Sequence, residues 1–137
     1  MYVKIAFLNG VIEEEVYIEQ PEGFETFERE SHVCRLKRAL YGLKQAPRAW
    51  YTRIDNYFIR LGFTKSEADV NLYHIVVDGN ILIIVLYVDE LIPVGDEQLI
   101  TSWKEDLARE FEMKDVGLLH YFFGLEIWQW DGELSIS

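Results

Sequence analysis

The sequence predicts an α+β fold in which two helices back a mostly antiparallel sheet. The clearest evidence is a hairpin, because apolar runs at 72–77 and 81–88 flank an Asp-Gly-Asn turn. A second pair of apolar runs, at 121–130 and 133–137, flanks an Asp-Gly turn. Two segments with apolar residues at helical spacing separate the strands. The predicted order of elements is β-β-β-α-β-β-β-α-β-β.

The bulk composition indicates one folded domain. The chain has 137 residues, of which 50% are hydrophobic and 15% aromatic, and this composition excludes intrinsic disorder. It has no apolar stretch of the roughly 18 residues that a membrane helix needs, and its first residues lack a signal-peptide pattern. We therefore expect an intracellular protein with no membrane partner. The single cysteine, Cys34, has no partner for an internal disulfide.

The charge is unevenly distributed. The net charge of -11 argues at first against nucleic acid, because polyphosphate binding depends on Lys and Arg. However, six of the 13 basic residues lie within 35–53, a stretch without any acid. We call these six the basic band: Arg35, Lys37, Arg38, Lys44, Arg48 and Arg53. The band is either a nucleic-acid contact or an ordinary solvated surface, and the sequence leaves both interpretations open.

The first third of the chain predicts short extended segments. Residues 3–8 predict a strand that ends at an Asn-Gly turn, and 13–20 predict a short edge strand. Residues 23–31 contain three acids without a period and predict a loop. Residues 33–36 predict another short strand.

The first helix is predicted from its start signal and its apolar face. Pro47 suits the first helical position, and Gly62 suits the end. One face carries apolar residues at helical spacing: Trp50, Ile54, Tyr57, Phe58 and Leu61. Free backbone N–H groups at the helix start, beside Lys44 and Arg48, could contact phosphate. The alternative is a helix that merely carries surface cations.

The central prediction concerns the acid pair Asp89-Glu90. Eight apolar residues at 81–88 suit a strand covered on both faces, and the acids then interrupt the apolar pattern. We expect both carboxylates at the tip of a hairpin, either as a solvated turn or as a functional site. Residues 91–94 are the expected returning strand. Pro93 lacks an N–H, so this strand should be short or face an edge there.

The second helix follows directly. Asp96 is placed to cap its start, and Glu97 suits its first turn. Its predicted buried face comprises Leu99, Ile100, Trp103, Leu107 and Phe111.

Four stretches together resemble the reverse transcriptase of copia-type long-terminal-repeat retrotransposons. They are residues 3–10 with 14–24; residues 39–51, which include Ala-Leu-Tyr-Gly-Leu-Lys-Gln-Ala-Pro; the Tyr-Val-Asp-Glu sequence at 87–90; and residues 111–117 followed by 119–127. Their spacing and order both match. The resemblance covers nearly the whole chain and is highly specific to that family.

This resemblance implies a polymerase palm-like fold with part of the fingers, so that residues 1–137 form a single truncated palm and partial fingers domain. The remaining fingers, the thumb and the RNase H part would then lie outside the chain. The implied partners are an RNA or DNA primer-template and a dNTP. The implied cofactor is Mg²⁺, because in this family two divalent ions hold the attacking oxygen and the leaving pyrophosphate.

The family's three catalytic carboxylates are not all present. The aspartate of its first strand falls on Tyr2, and the second aspartate of its acidic turn falls on Glu90, while Asp89 is intact. A tyrosine is neutral at pH 7 and a poor, bulky metal ligand. Asp89 and Glu90 remain the candidate metal ligands. The resemblance therefore implies a degraded catalytic set and a copy that has lost its activity.

Other family positions are retained. Phe7 matches the aromatic residue that acts as a steric gate against a ribose 2′-hydroxyl, and Tyr87 matches a position beside the primer. The run that contacts nucleotide and template is matched by Tyr41, Gly42, Lys44, Pro47 and Arg48. Three interpretations remain open: a fragment of an RNA-directed DNA polymerase that retains some metal-dependent activity, a catalytically silent module that binds nucleic acid or a protein partner, or no selected function. We favour a polymerase-family domain whose own catalysis is lost, and rank residual nucleic-acid binding above retained synthesis.

Overall fold

This computed structural model describes residues 1–24, 32–117, 121–122, 125–130 and 133–136. Within these residues, the strands of the main sheet are, in chain order, β1 Tyr2–Val3, β4 Thr64–Lys65, β5 Leu72–Val77, β6 Asn80–Tyr87, β7 Glu90–Gly95 and β8 Met113–Lys114. Across the sheet these six strands lie in the order β4-β5-β6-β7-β1-β8, and all of their pairings are antiparallel. The helices are α1 Ala46–Arg60 and α2 Glu97–Glu110. The predicted α+β class, with two helices and an antiparallel sheet, is confirmed.

The hairpin of β5 and β6 forms as predicted. Asp78 and Gly79 both have positive φ, at 51° and 80°, which is the signature of a two-residue type I′ turn. This turn matches the natural twist of the flanking strands. It sets the register in which Val77 pairs with Asn80 and Tyr73 with Ile84.

Only one face of the sheet is covered by the helices. Alternate residues of β6, namely Leu82, Ile84 and Leu86, are buried against the helices, together with Tyr73 and Leu91 of the neighbouring strands. On the other face, Ile81 is 45% and Tyr87 is 44% exposed. The expectation that 81–88 would be covered on both faces is therefore wrong for the described residues. The apolar run instead reflects one buried face and one half-exposed face.

Pro93 lies within β7 and pairs with Ile84 of β6. The backbone N–H of Leu91 donates to the Met1 carbonyl on the other side of β7 (2.8 Å). The nitrogen of Pro93, two residues later, faces that same side, where none of the described strands pairs with it. The expected edge position is confirmed.

Helix α1 buries most of the predicted face. Trp50, Ile54, Tyr57 and Phe58 are buried, but the prediction is wrong for Leu61, which follows the helix and is 37% exposed. Pro47 takes the second helical position rather than the first, where its missing N–H is equally harmless. After the helix, Gly62 adopts a φ of +93°, a conformation that favours glycine.

Helix α2 begins at the predicted cap. The Asp96 carboxylate accepts hydrogen bonds from the backbone N–H groups of Gln98 and Leu99 at 3.0 and 3.1 Å. Trp103, Leu107 and Phe111 are buried as expected. Leu99 and Ile100 are partly buried at the margin of the same core.

The first predicted strand differs most from the structure. Residues 3–8 do not form one strand: β1 ends at Val3, Ile5 takes a left-handed conformation (φ 45°), and Ala6–Asn9 forms a 3₁₀-helix. This turn leads the chain out of the sheet and under α1. There Gly10 lies so close that a Cβ at this position would sit 2.8 Å from the backbone of Ala49. Tertiary packing has overridden the extended preference of the sequence.

The remaining strands are short or separate. The predicted segments 13–20 and 33–36 shrink to β2 Tyr17–Ile18 and β3 Cys34–Arg35, which pair with each other. Strands β4 and β8 were not predicted. The final hairpin forms from β10 Leu125–Trp130 and β11 Glu133–Ile136, and β9 Tyr121–Phe122 pairs with β10. Most of the predicted loop at 23–31 lies outside the described residues.

Candidate functional site

The acidic turn connects β6 to β7. Its two turn residues are Val88 and Asp89, and Tyr87 pairs directly with Glu90 across it. Only Asp89 therefore lies at the tip. Glu90 is the first residue of β7, so the expectation that both acids occupy the tip is corrected.

A row of four paired residues crosses the sheet beside this turn. Tyr87 pairs with Glu90, Glu90 with Tyr2, and Tyr2 with Lys114. Because residues paired across antiparallel strands project to the same face, these side chains form one line on the face away from the helices. The Lys114 ammonium lies 5.9 Å from the centre of the Tyr2 ring. Position 2 and the acidic turn are therefore neighbours, as a shared set of catalytic positions requires.

Two hydrogen bonds hold the turn from different elements. The indole N–H of Trp50 in α1 donates to the Val88 carbonyl at 2.6 Å. The backbone N–H of Val3 in β1 donates to the Asp89 carbonyl at 2.9 Å. Val88 itself is left-handed (φ 53°), which is unfavourable for a β-branched residue. The turn therefore has a defined shape that its surroundings impose.

The aromatic candidates of the nucleotide-contacting run meet each other. The Phe7 and Tyr41 rings have centroids 4.8 Å apart and are tilted by 34°. Tyr41 is exposed, and Gly42 follows it with a φ of +90° and no atom within 4 Å of where a Cβ would be. The structure thus brings together two residues that are 34 positions apart in sequence. The resemblance matches Phe7 to a steric gate and Tyr41 to the run that contacts nucleotide and template.

The basic band is divided in the structure. Arg35 lies 3.5 Å from Glu15, and Arg53 pairs with Glu110 while covering the Phe111 ring at 4.8 Å. The other four cations are exposed, and within the described part of the chain none has an acid in ion-pair range: Lys37, Arg38, Lys44 and Arg48. Pro47 is exposed between two of them. These four cations are the part of the band that a polyanion could contact.

The donor set at the turn does not suit two divalent ions. Within the described ranges, no group of three or more His, Cys, Asp and Glu side chains could hold a metal ion. Asp89 and Glu90 supply two carboxylates, and a phenol stands at position 2 between Glu90 and Lys114. Hard cations such as Mg²⁺ require several anionic or carbonyl oxygens. Strand β1, which pairs with β7 at Glu90, does not supply a third carboxylate.

Two residues of this site were not singled out from the sequence. Trp50 was predicted only as part of the buried helix face, although its N–H contacts the acidic turn. Lys114 carried no prediction, although it is the cross-strand neighbour of Tyr2. Neither contact has a local sequence signal, because the partners lie 38 residues apart in the first case and, in the second, in two strands that pair in the sheet but lie far apart in the sequence.

Fold and site together define an α+β domain whose acidic hairpin turn lies against its first strand. The model of the family described as reverse transcriptase (RNA-dependent DNA polymerase) matches residues 1–137, so the chain belongs to the reverse transcriptase family. The predicted resemblance to copia-type elements is confirmed by similar proteins. The Retrovirus-related Pol polyprotein from transposon TNT 1-94 of Nicotiana tabacum is 44% identical over 127 residues. That from transposon RE1 of Arabidopsis thaliana is 42% identical over 125 residues.

These relatives are much longer than the chain. The alignments cover 91% and 90% of this chain but only 10% and 8% of the two plant polyproteins. The putative transposon Ty5-1 protein YCL074W of Saccharomyces cerevisiae is 34% identical over the whole chain, which corresponds to 45% of that protein. No solved structure matches the chain significantly. No helix among the described residues combines the length and hydropathy needed to cross a membrane.

Proposed function

We propose that this chain is the palm-like part of a retrotransposon RNA-directed DNA polymerase and that it has lost nucleotide addition. One observation carries the proposal: Tyr2 lies directly opposite Glu90, at the position where the family places an aspartate. Strand β7, which pairs with β1, still begins at the acidic turn. The sheet is therefore kept, while the side chain at position 2 is no longer a carboxylate. Loss of a single group that stabilises developing charge costs about 10²–10³ in rate.

Mg²⁺ is the cofactor expected from the family, but the side chains at the turn do not fit a two-ion site. Asp89 and Glu90 could hold one ion loosely through their carboxylates. Tyr2 supplies a phenol where the family has a carboxylate, and Lys114 beside it opposes a cation. We therefore assign no metal-dependent step to this chain.

Residual nucleic-acid binding is the function that the surface supports best. Lys44 and Arg48 flank the start of α1, where backbone N–H groups also favour anions. Tyr41 exposes a ring nearby in sequence, on which a base could stack. The phosphates of a primer-template would bind at the start of α1, because the rest of the chain is acidic and repels them. The second candidate, a module that binds a protein partner, has no specific observation in its favour.

Primer extension tests the proposal. The purified chain is incubated with an RNA template, a DNA primer and dNTPs in Mg²⁺ or Mn²⁺, and binding of the same duplex is measured by fluorescence anisotropy. We expect binding without incorporation. Clear synthesis by the unaltered chain would contradict the proposed loss of catalysis, and absence of binding at low salt would contradict the proposed nucleic-acid contact.

A further inference from the structure

We propose that Trp50 is a positioning residue for the acidic turn. Its indole N–H, rather than its bulk, fixes the backbone that carries Asp89 and Glu90. The proposal rests on the proposed function for its biological meaning. The geometric part, however, concerns only the shape of the turn and can be tested separately.

The contact is short, and its donor side chain is buried. Trp50 is 2% exposed, and its Nε1 lies 2.6 Å from the Val88 carbonyl oxygen. A buried indole N–H without a partner would carry an unfavourable desolvation cost, so the donor and the carbonyl stabilise each other. Helix α1 is thereby joined to the tip of the β6–β7 hairpin.

The acceptor is a strained residue. Val88 has a φ of 53°, a left-handed conformation that β-branched side chains rarely adopt. Such a conformation persists only where the surroundings fix it. Since the Trp50 indole binds the carbonyl of that same residue, it is placed to hold this conformation.

The donor is itself held rigidly. The Trp50 ring packs edge-on against Phe111, with centroids 5.5 Å apart and planes at 80°. Gly10 contacts the backbone of Ala49 and Trp50 so closely that a Cβ there would lie 2.8–2.9 Å from it. Neither the ring nor the helix start can move without disturbing the core. The indole N–H can therefore act as a fixed point for the turn.

The second hydrogen bond completes the arrangement. The Val3 N–H donates to the Asp89 carbonyl, so the carbonyls of both turn residues are bound, one by α1 and the other by β1. The strand that binds Asp89 also carries Tyr2 opposite Glu90. Removing the Trp50 hydrogen bond should release one side of the turn and alter the direction of the Asp89 carboxylate relative to position 2.

The chain offers a matched control. Trp103 is 4% exposed in the same core and packs near Phe58, at 6.4 Å between ring centroids. Its Nε1 is buried and has no hydrogen-bond partner within the described residues. Trp50→Phe and Trp103→Phe therefore remove similar buried areas, but only the first removes a hydrogen bond. Benzothienylalanine, which keeps the bicyclic shape and replaces the N–H with sulfur, can be introduced at either position if Phe prevents folding.

The experiment measures amide hydrogen exchange by NMR and global stability by urea unfolding for each variant. At position 50, either replacement should speed exchange at the Val3 amide and at the turn amides by about tenfold beyond the change in global stability. At position 103, exchange at the turn should follow global stability alone. Equal effects at the two positions, or unchanged exchange at the turn after either replacement at position 50, would overturn the proposal.

A functional measurement separates this proposal from the proposed polymerase origin. In the Tyr2→Asp, Glu90→Asp protein, loss of the Trp50 N–H should weaken Mn²⁺ binding by about fivefold or more, and the matching change at Trp103 should not. Unchanged Mn²⁺ affinity despite faster exchange would overturn the positioning role. Failure of the parent double variant to bind Mn²⁺ would count against the proposed function, while the exchange data would still decide whether Trp50 shapes the turn.

Discussion

Tyr2 and Glu90 are direct cross-strand partners in the pairing of β1 with β7, although 88 positions separate them in the chain. The pairing is supported by hydrogen bonds on both sides of it, from Val3 N–H to the Asp89 carbonyl and from Leu91 N–H to the Met1 carbonyl. Position 2 is therefore held beside the acidic turn by hydrogen bonds of the sheet rather than by a loop. Changing the side chain at position 2 should alter the chemistry of the site without changing its architecture.

Restoring two aspartates should restore cation binding. Tyr2→Asp supplies the missing carboxylate, and Glu90→Asp shortens its partner by one methylene, so three carboxylates converge near the turn. We expect the double variant to bind Mn²⁺ at least about tenfold more tightly than the unaltered chain, as measured by calorimetry or electron paramagnetic resonance. Tyr2→Asn with Glu90→Asp is the matched control, because it differs from the double variant only in an uncharged amide at position 2. A similar gain in that control would show that charge at position 2 is not responsible.

Neutralising the free part of the basic band should weaken nucleic-acid binding. Lys44→Gln with Arg48→Gln removes two exposed cations that have no acidic partner among the described residues. If each contacts a phosphate of a single strand, the slope of log K against log salt should fall by about 1.4 in magnitude. Fluorescence anisotropy of a labelled oligoribonucleotide, titrated at several salt concentrations, measures both affinity and slope.

The control for that experiment removes the same charge elsewhere. Lys104→Gln with Arg109→Gln neutralises two cations of α2 that already pair with Asp115 and Asp106 at 2.8 and 3.0 Å. Affinity and slope should change little, because these charges are compensated locally and lie on another element. An equal loss in both variants would indicate a general effect of net charge and would contradict a localised nucleic-acid surface.

Local signals account for the elements that the sequence predicted well. The β5–β6 hairpin follows from an Asp-Gly turn, whose residues tolerate positive φ. The start of α2 follows from the Asp96 side chain, which supplies the hydrogen bonds that the first turn lacks. By contrast, the early end of β1 depends on Ile5 turning towards α1, a tertiary constraint that residues 3–8 do not encode locally.

The candidate site required more than local patterning. Residues alone identified Asp89 and Glu90 as acids between apolar runs, and the family resemblance connected them to position 2. The pairing of Tyr2 with Lys114 and the bond from Trp50 to Val88 depend on sheet register and helix placement. These quantities emerge only when distant segments pack, so no window of sequence could have supplied them.

Two buried tyrosines should respond oppositely to removal of their hydroxyl groups. The Tyr57 hydroxyl is buried with no hydrogen-bond partner among the described residues, and burial raises its pKa to about 12. Tyr57→Phe should therefore stabilise the protein by roughly 1 kcal/mol. The Tyr73 hydroxyl donates to Asp55 at 2.6 Å, so Tyr73→Phe should destabilise it by about 1–2 kcal/mol. Urea unfolding at pH 7 measures both changes in the free energy of unfolding. Two changes of the same sign would contradict the prediction.

The ion pair between Glu110 and Arg53 should make stability depend on pH. A hydrogen bond from Arg53 is the main cause that lowers the Glu110 pKa, and the nearby Arg60 adds to it. A lowered folded pKa means that Glu110 contributes stability above its unfolded value of about 4.3, and that this contribution is lost as pH falls through the folded pKa. Glu110→Gln should therefore lose less stability than the unaltered chain between pH 7 and pH 3. Urea unfolding across this range measures the difference.

The control for the pH experiment is a more exposed carboxylate on the same helix. Asp106 pairs with Arg109 at 3.0 Å, and both side chains are well exposed to solvent, at 48% and 75%. Exposed pairs contribute little, so Asp106→Asn should leave the pH dependence of unfolding almost unchanged. If Glu110→Gln and Asp106→Asn behaved alike, the partly buried Arg53 contact would not be the source of the effect.

Two glycines with positive φ should differ sharply in their tolerance of alanine. Gly95 (φ 143°) joins β7 to α2, and a Cβ there would overlap the Ile81 carbonyl oxygen, which accepts the Asp96 N–H at 3.2 Å. Gly79 (φ 80°) lies in the β5–β6 turn with no atom within 4 Å of a Cβ. Gly79→Ala should cost about 1 kcal/mol, the usual penalty of a left-handed residue. Gly95→Ala should cost at least about 3 kcal/mol, because strain and backbone overlap combine. Thermal and urea unfolding of the two variants decide the matter, and equal losses would mean that the close approach at Ile81 relaxes without significant cost.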